Sequence, residues 1–124
     1  MNAPESEKVI DFDHLKNHIG DDVSIIAEVF GLFKHQVEMW SKMLDAHVDD
    51  ESWVSVMHSL KGTSGAVGAH SLSRLCEKGE AMIGTRGTIA IRQLIIDDVQ
   101  FDIEQVKIEI GRWEYRQKLA SMRS

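Results

Sequence analysis

Between Ile26 and Leu44 the chain places Ile26, Phe30, Phe33, Val37, Trp40 and Leu44 at successive spacings of 4, 3, 4, 3 and 4 residues. A helix gathers such positions on one stripe, whereas a strand would scatter them over both faces. The segment can therefore bury its large side chains together only as a helix. A second long stripe, read as Ile91, Ile95, Val99, Ile103, Val106, Ile110 and Trp113, runs near the end of the chain. One proline and nine glycines in 124 residues are too few for the turns of a β-sandwich. The expected fold class is all-α, an antiparallel four-helix bundle with a short additional N-terminal helix.

Punctuation along the chain sets the expected boundaries. Residues 1–9 are polar and include Pro4, so they read as a flexible lead-in, and residues 10–122 read as a single helical bundle domain. Asp11 or Asp13 can cap a short helix ending near Ile19, and Gly20-Asp21-Asp22 supplies a stop followed by a new cap. The long helix is expected from Asp22 to Ala46. A third, capped by Asp49 or Asp50, should run to Val67, and a fourth should start at His70 or Ser71. The fourth places Leu72, Leu75, Cys76, Gly79 and Ile83 on one face, and Gly84-Thr85-Arg86-Gly87 ends it. Thr88 opens the last helix. Phe101 and Ile108 lie off its stripe and are left for the first helix or a partner.

The balance of charge narrows the functions. A net charge of −6 lacks the basic footprint by which nucleic-acid binders neutralise phosphates. The N-terminus has no apolar signal region and nowhere do 18 apolar residues run together, so neither secretion nor membrane spanning is expected, and a cytoplasmic location is. One cysteine, Cys76, can form no internal disulfide and reads as core filler.

The third helix carries the anomaly. Counting 100° per residue from Trp53, Met57, Leu60, Ser64 and Val67 fall within about 40° of it, on the core side. His58 falls at about 140° and Gly62 at about 180°, facing solvent, with Gly65 at about 120°, Val54 at about 100° and Lys61 at about 80°. Lys61, three residues after His58, can therefore reach along the surface toward the imidazole. Glycine inside a helix costs about 0.5 to 1 kcal/mol relative to alanine, so Gly62 and Gly65 require a reason. A bare surface beside an exposed histidine admits close approach by another molecule. From Ser52 through Cys76 there is no Asp or Glu, although the chain holds 20 acidic residues, which makes this window locally basic and suited to a negatively charged group.

The run His58-Ser59-Leu60-Lys61-Gly62-Thr63-Ser64-Gly65-Ala66-Val67-Gly68-Ala69 resembles the signature of histidine-containing phosphotransfer (HPt) domains, roughly H-x-L-K-G-x-S-x-x-φ-G-A. The resemblance takes in Gly20-Asp21-Asp22, Trp53 and the segment Leu72 to Glu80, covering about residues 11 to 85. Gly79 departs from it, because the family usually has a larger apolar residue there. The resemblance implies a phosphorelay intermediate in two-component signalling rather than an enzyme with its own ATP site. His58 would accept a phosphoryl group from the aspartyl phosphate of one receiver domain and pass it to another. Lys61 would stabilise the phosphoryl oxygens, Gly62 would clear space for the receiver, and Glu80 would bond the non-reacting ring nitrogen and fix the tautomer. Val54 and Gly65 would join the receiver-docking rim. The implied partners are response-regulator receiver domains and a hybrid histidine kinase, with Mg²⁺ supplied by the receiver and no cofactor held by this chain.

Other readings weigh less. The dimerising histidine helices of a sensor kinase resemble H-E-x-x-x-P, whereas Ser59 follows His58 here and no proline comes after it. A bundle that binds receivers without exchanging phosphate is the main alternative, and the intact His58, Lys61 and Gly62 argue against it. Ser64, on the core side, is read as structural. His14 and His18 have a spacing that can chelate metal, but the sequence supplies no third ligand nearby, so no metal site is expected. A monomer is expected because one bundle can bury every stripe, Phe101 and Ile108 being the exception.

Overall fold

The computed structural model describes residues 8–123. The lead-in expected over residues 1–9 lies outside the described residues apart from its last two, of which Val9 already packs on the core. The helices are α1 (Phe12–Ile19), α2 (Val23–Ser41), α3 (Asp50–Ala66), α4 (His70–Glu80) and α5 (Ile89–Met122), with a short 3-10 turn at Gly84–Arg86. No strand occurs among the described residues. In the bundle α3 packs on α2 and α4, and α5 packs on the same two helices, so α3 and α5 stand diagonally opposite.

Side-chain caps fix most helix starts. Asp11 accepts from the backbone N–H of His14, Asp22 from Ser24, Asp49 from Ser52, and Thr88 from Ile91. Each satisfies a donor that the first helical turn leaves without a partner. Two helices end earlier than their apolar pattern suggests. α2 stops at Ser41 rather than Ala46, because Asp45 turns its carboxylate onto the backbone N–H of His47 and the chain closes tight turns at Met43, Leu44 and Val48. α4 stops at Glu80, and Ile83, expected on its buried face, is exposed.

The core is continuous from Ile10 and Leu15 through Phe30, Phe33, Trp53, Met57, Leu60 and Leu72 to Ile110 and Trp113. Each such side chain removed from water contributes roughly 1.5 to 3 kcal/mol. Phe30 joins three elements, with edge-to-face contacts to Phe12 at 6.2 Å and to Trp113 at 5.1 Å. α1 is further fixed at Gly68, whose φ of +76° turns the chain between α3 and α4 and whose carbonyl accepts from Asp11 N at 2.9 Å. A Cβ on Gly68 would stand 2.6 Å from the Asp11 carbonyl oxygen, so both the conformation and the close approach require glycine.

At the start of α5 the buried face differs from the expected one. Arg92 and Ile96 are buried, Ile91 is exposed and Ile95 half-buried, so the stripe runs 92, 96, 99, 103, 106, 110, 113. That series alternates steps of 4 and 3 and stays on one face; three successive steps of 4 would drift around the helix. A charged residue occupies the first position. Arg92 is buried with every direction of its guanidinium used: Nη2 to Asp50 Oδ1 at 2.6 Å, Nη1 to the Val48 carbonyl at 2.9 Å, and Nε to the Met82 carbonyl at 3.1 Å. Its guanidinium carbon lies 4.7 Å from the centre of the Trp53 ring. Arg92 thus ties the start of α3 to the loop after α4.

Candidate functional site

α3 and α4 form the most extensive helix pair, and the site lies along their outer edge. Trp53 points into the core, donating from Nε1 to the Gly79 carbonyl at 2.7 Å, which fixes the rotation and height of α3 against α4. Packing around that carbonyl explains the departure at Gly79. A Cβ there would stand 2.8 Å from Met57 Sδ and 3.2 Å from Ile95 Cγ2, so Met57 and Ile95 fill the space that a larger residue would occupy. Burial pushes the thiol of neighbouring Cys76 up to about 12, which keeps it protonated and inert at neutral pH.

With Trp53 and Met57 buried, the helical period turns His58 outward, its side chain 71% exposed. One turn of α4 brings Glu80 to it, with His58 Nδ1 3.0 Å from Glu80 Oε1. A carboxylate only accepts, so Nδ1 carries the proton in this contact and Nε2 keeps its lone pair toward solvent. Lys61 Nζ stands 3.9 Å from the same Oε1, and its half-buried stem lies along α3. Of the three residues picked from the sequence for chemistry, His58 and Lys61 therefore converge on one oxygen of the third, Glu80. The arrangement sets a solvent-facing imidazole nitrogen beside a lysine ammonium, both carried on helices.

The surroundings divide the remaining candidates. Gly62 is exposed with open space where a Cβ would project. Gly65 is half-buried, and its Cβ would touch Ser73 Oγ at 3.6 Å, which places it against α4 rather than on a bare surface. Val54 is half-buried one turn before His58. Ser64 is fully buried and donates to the Leu60 carbonyl at 2.6 Å, a structural role. His14 and His18 lie away from the site with ring centres 4.2 Å apart; His70 packs edge-on to His14 and bonds Asp11 Oδ2 from Nε2 at 3.0 Å. His18 Nδ1 faces the His14 carbonyl at 2.9 Å, so the ring is turned onto its own helix.

Known proteins resemble this chain in sequence and fold. The family model described as "Hpt domain" matches residues 21–113. The chain belongs to the Hpt domain family. Its Hpt domain is also similar to the crystal structure of the histidine phosphotransferase ShpA from Caulobacter crescentus, with a TM-score of 0.73 and 26% identity, covering 93% of this chain and 99% of that one. No curated protein sequence matches at a significant level. Among the described residues no helix is long and apolar enough to cross a membrane.

Sequence reasoning missed Arg92 altogether. It touches none of the three site residues; its guanidinium lies over the Trp53 ring and bonds Asp50 at the start of α3. The available signal was the 4-3-4-3 continuation of the α5 stripe, which lands on residue 92 rather than 91.

Proposed function

We propose that His58 is the residue on which this Hpt domain carries a phosphoryl group between receiver-domain aspartates. The observation that carries the reading is the exposed His58 ring held at Nδ1 by Glu80, which leaves Nε2 free to react. In the loading step the Nε2 lone pair forms an N–P bond as the P–O bond to the receiver's aspartate breaks, and the carboxylate leaves without needing a proton. The ring keeps its Nδ1 proton and gains positive charge, which the Glu80 carboxylate offsets. Lys61, beside the ring, offsets charge on the phosphoryl oxygens. Draining reverses each step onto a second receiver. Phosphoryl transfer depends mainly on positioning and charge, and this chain supplies the nucleophile on a rigid helix while the receiver supplies Mg²⁺. Gly62 and Val54 are the surface that the receiver meets, and a hybrid histidine kinase stands upstream.

The test is to incubate the protein with labelled phosphoreceivers and Mg²⁺ beside His58→Gln. Acid-labile, alkali-stable label is expected on the native protein alone. Equal label on the folded His58→Gln variant would move the acceptor elsewhere, and no label on either would favour a receiver-binding bundle that exchanges no phosphate.

A further inference from the structure

α5 carries a second apolar stripe that the bundle does not use. Leu94, Phe101, Ile108, Tyr115 and Met122 recur every seven residues, and all five are exposed, from 48% for Ile108 to 71% for Met122. Counted from Val99, the buried stripe centres near 0° and this one near 180°, so it lies on the outer face of α5. It spans about 42 Å of helix. Single exposed apolar residues are ordinary, but five in strict heptad register, about 10.5 Å apart, keep to one line along the helix. The expectation of a monomer assumed that one bundle buries every stripe, and this ridge removes that reason.

The flanking residues indicate what covers it. One side of the ridge carries Asp97, Glu104, Gly111 and Lys118, and the other carries Asp98, Gln105, Arg112 and Leu119. Both flanks are thus acidic in the N-terminal half and basic in the C-terminal half. A parallel second copy would set acid against acid, whereas an antiparallel copy sets each acidic half against a basic one. We propose that two copies of this chain pair antiparallel along α5, about a two-fold axis at Ile108. Leu94 then faces Met122 of the second copy, Phe101 faces Tyr115, and Ile108 faces itself. On the shared flanks Asp97 comes within about one residue's rise, about 1.5 Å, of the level of Lys118 of the second copy, and Gln105 of the level of Arg112.

Helix geometry supports the pairing. A seven-residue repeat drifts by about 20° per heptad on a straight helix, so two such ridges stay in contact when the helices cross at about 20°. Gly111, exposed and with open space about it, leaves room between Ile108 and Tyr115 for the facing side chains. A two-fold contact uses one self-complementary patch on both copies and closes without forming fibres. Because α5 is diagonal to α3, the pairing leaves both His58 sites open to receivers.

Sedimentation of the full chain from about 1 to about 300 µM tests the self-association. Mass should rise toward a dimer, and Phe101→Glu should weaken association by about tenfold or more, since it removes an aromatic anchor and sets a carboxylate in the ridge. Phe101 is exposed, so this variant should retain the native helical signal and melting. Cysteine crosslinking then reads the direction, with Cys76 buried and inert. Ile108→Cys should oxidise to a disulfide dimer with itself, and an equimolar mixture of Leu94→Cys and Met122→Cys should give the mixed dimer. Three outcomes would overturn the proposal: a monomer at every concentration, which assigns the ridge to a different protein; a dimer indifferent to Phe101→Glu; or Leu94→Cys crosslinking to itself, which means parallel pairing.

Discussion

His58 Nδ1 lies 3.0 Å from Glu80 Oε1, across 22 positions of sequence and from one helix to the next. In the proposed mechanism this contact holds the ring in the tautomer whose Nε2 lone pair faces solvent, and sets a negative charge where a phosphorylated ring would be positive, which makes Glu80 a positioning residue. Glu80→Gln can present its amide oxygen to Nδ1 and should retain most of the tautomer preference while losing the charge. Glu80→Ala loses both, and should slow phosphotransfer by about tenfold, or about 1.4 kcal/mol in barrier. Nitrogen-15 shifts of the His58 ring are the decisive readout. Mixed tautomers in Glu80→Ala and a single one in Glu80→Gln are expected, and an unchanged spectrum in both variants would refute the role.

Gly62 predicts opposite changes in stability and transfer. Beyond the backbone of its own helix and its chain neighbours, no atom lies within 4 Å of where its Cβ would be, so Gly62→Ala should gain about 0.5 to 1 kcal/mol of stability from helix propensity alone. A long side chain has the same freedom in the isolated protein but occupies the approach to His58. Gly62→Gln should therefore melt no lower than the native protein while its receiver-binding affinity falls. Normal affinity in that variant would show that the receiver does not approach over Gly62.

How far the sequence was legible depends on whether a signal was local. The four long helices announced themselves through spacing, because burial of Phe30, Phe33 and Val37 requires the period directly. His58 stood out through an anomaly of the same kind, glycines where a helix disfavours them. Glu80 could be nominated only by family resemblance, since its meeting with His58 depends on how α3 and α4 cross. The end of α2 was missed because one carboxylate, Asp45, outweighed a periodicity that still read as helix. Arg92 was missed because a pattern of apolar residues gives no place to a buried charge, and its four partners come from three separate segments.

Those partners make Arg92 the most exacting structural position. Removing the guanidinium leaves the Val48 and Met82 carbonyls without their donor and the Trp53 ring without its cation, so Arg92→Ala should cost about 3 kcal/mol. Lysine restores the charge but not the planar fork, and cannot reach all three oxygens in the same geometry. Arg92→Lys should therefore recover less than half of the loss. Urea unfolding measures both, with a lower midpoint and an unchanged slope. Phosphotransfer at low temperature, where each variant is still folded, should stay near native because Arg92 touches no site residue. A transfer defect larger than the unfolded fraction would mean that Arg92 acts on the site as well as the fold.

Two aspartates make opposite contributions to the pH dependence of stability. The His14 backbone N–H holds the Asp11 carboxyl below its ordinary value, against the effect of burial, and the His70 ring adds to this. The unfolded chain therefore binds this proton more readily, so the stabilisation is complete above the unfolded pKa and disappears as pH falls through the folded one. Asp102 is the reverse: burial first, then nearby Asp98, raises its carboxyl despite a bond from Ser71. Its ionisation opposes folding, and that penalty grows as pH rises from the unfolded pKa to the folded one and is complete above it. Asp11→Asn should accordingly be less stable than the native protein at pH 7, with the gap closing as pH falls through the lowered folded pKa. Asp102→Asn should be at least as stable at pH 7, its advantage also fading in acid. Urea midpoints from pH 2.5 to 7 separate the two, and a native-like Asp11→Asn at neutral pH would show that the Asp11 charge contributes nothing to the fold, since an asparagine oxygen can still cap α1.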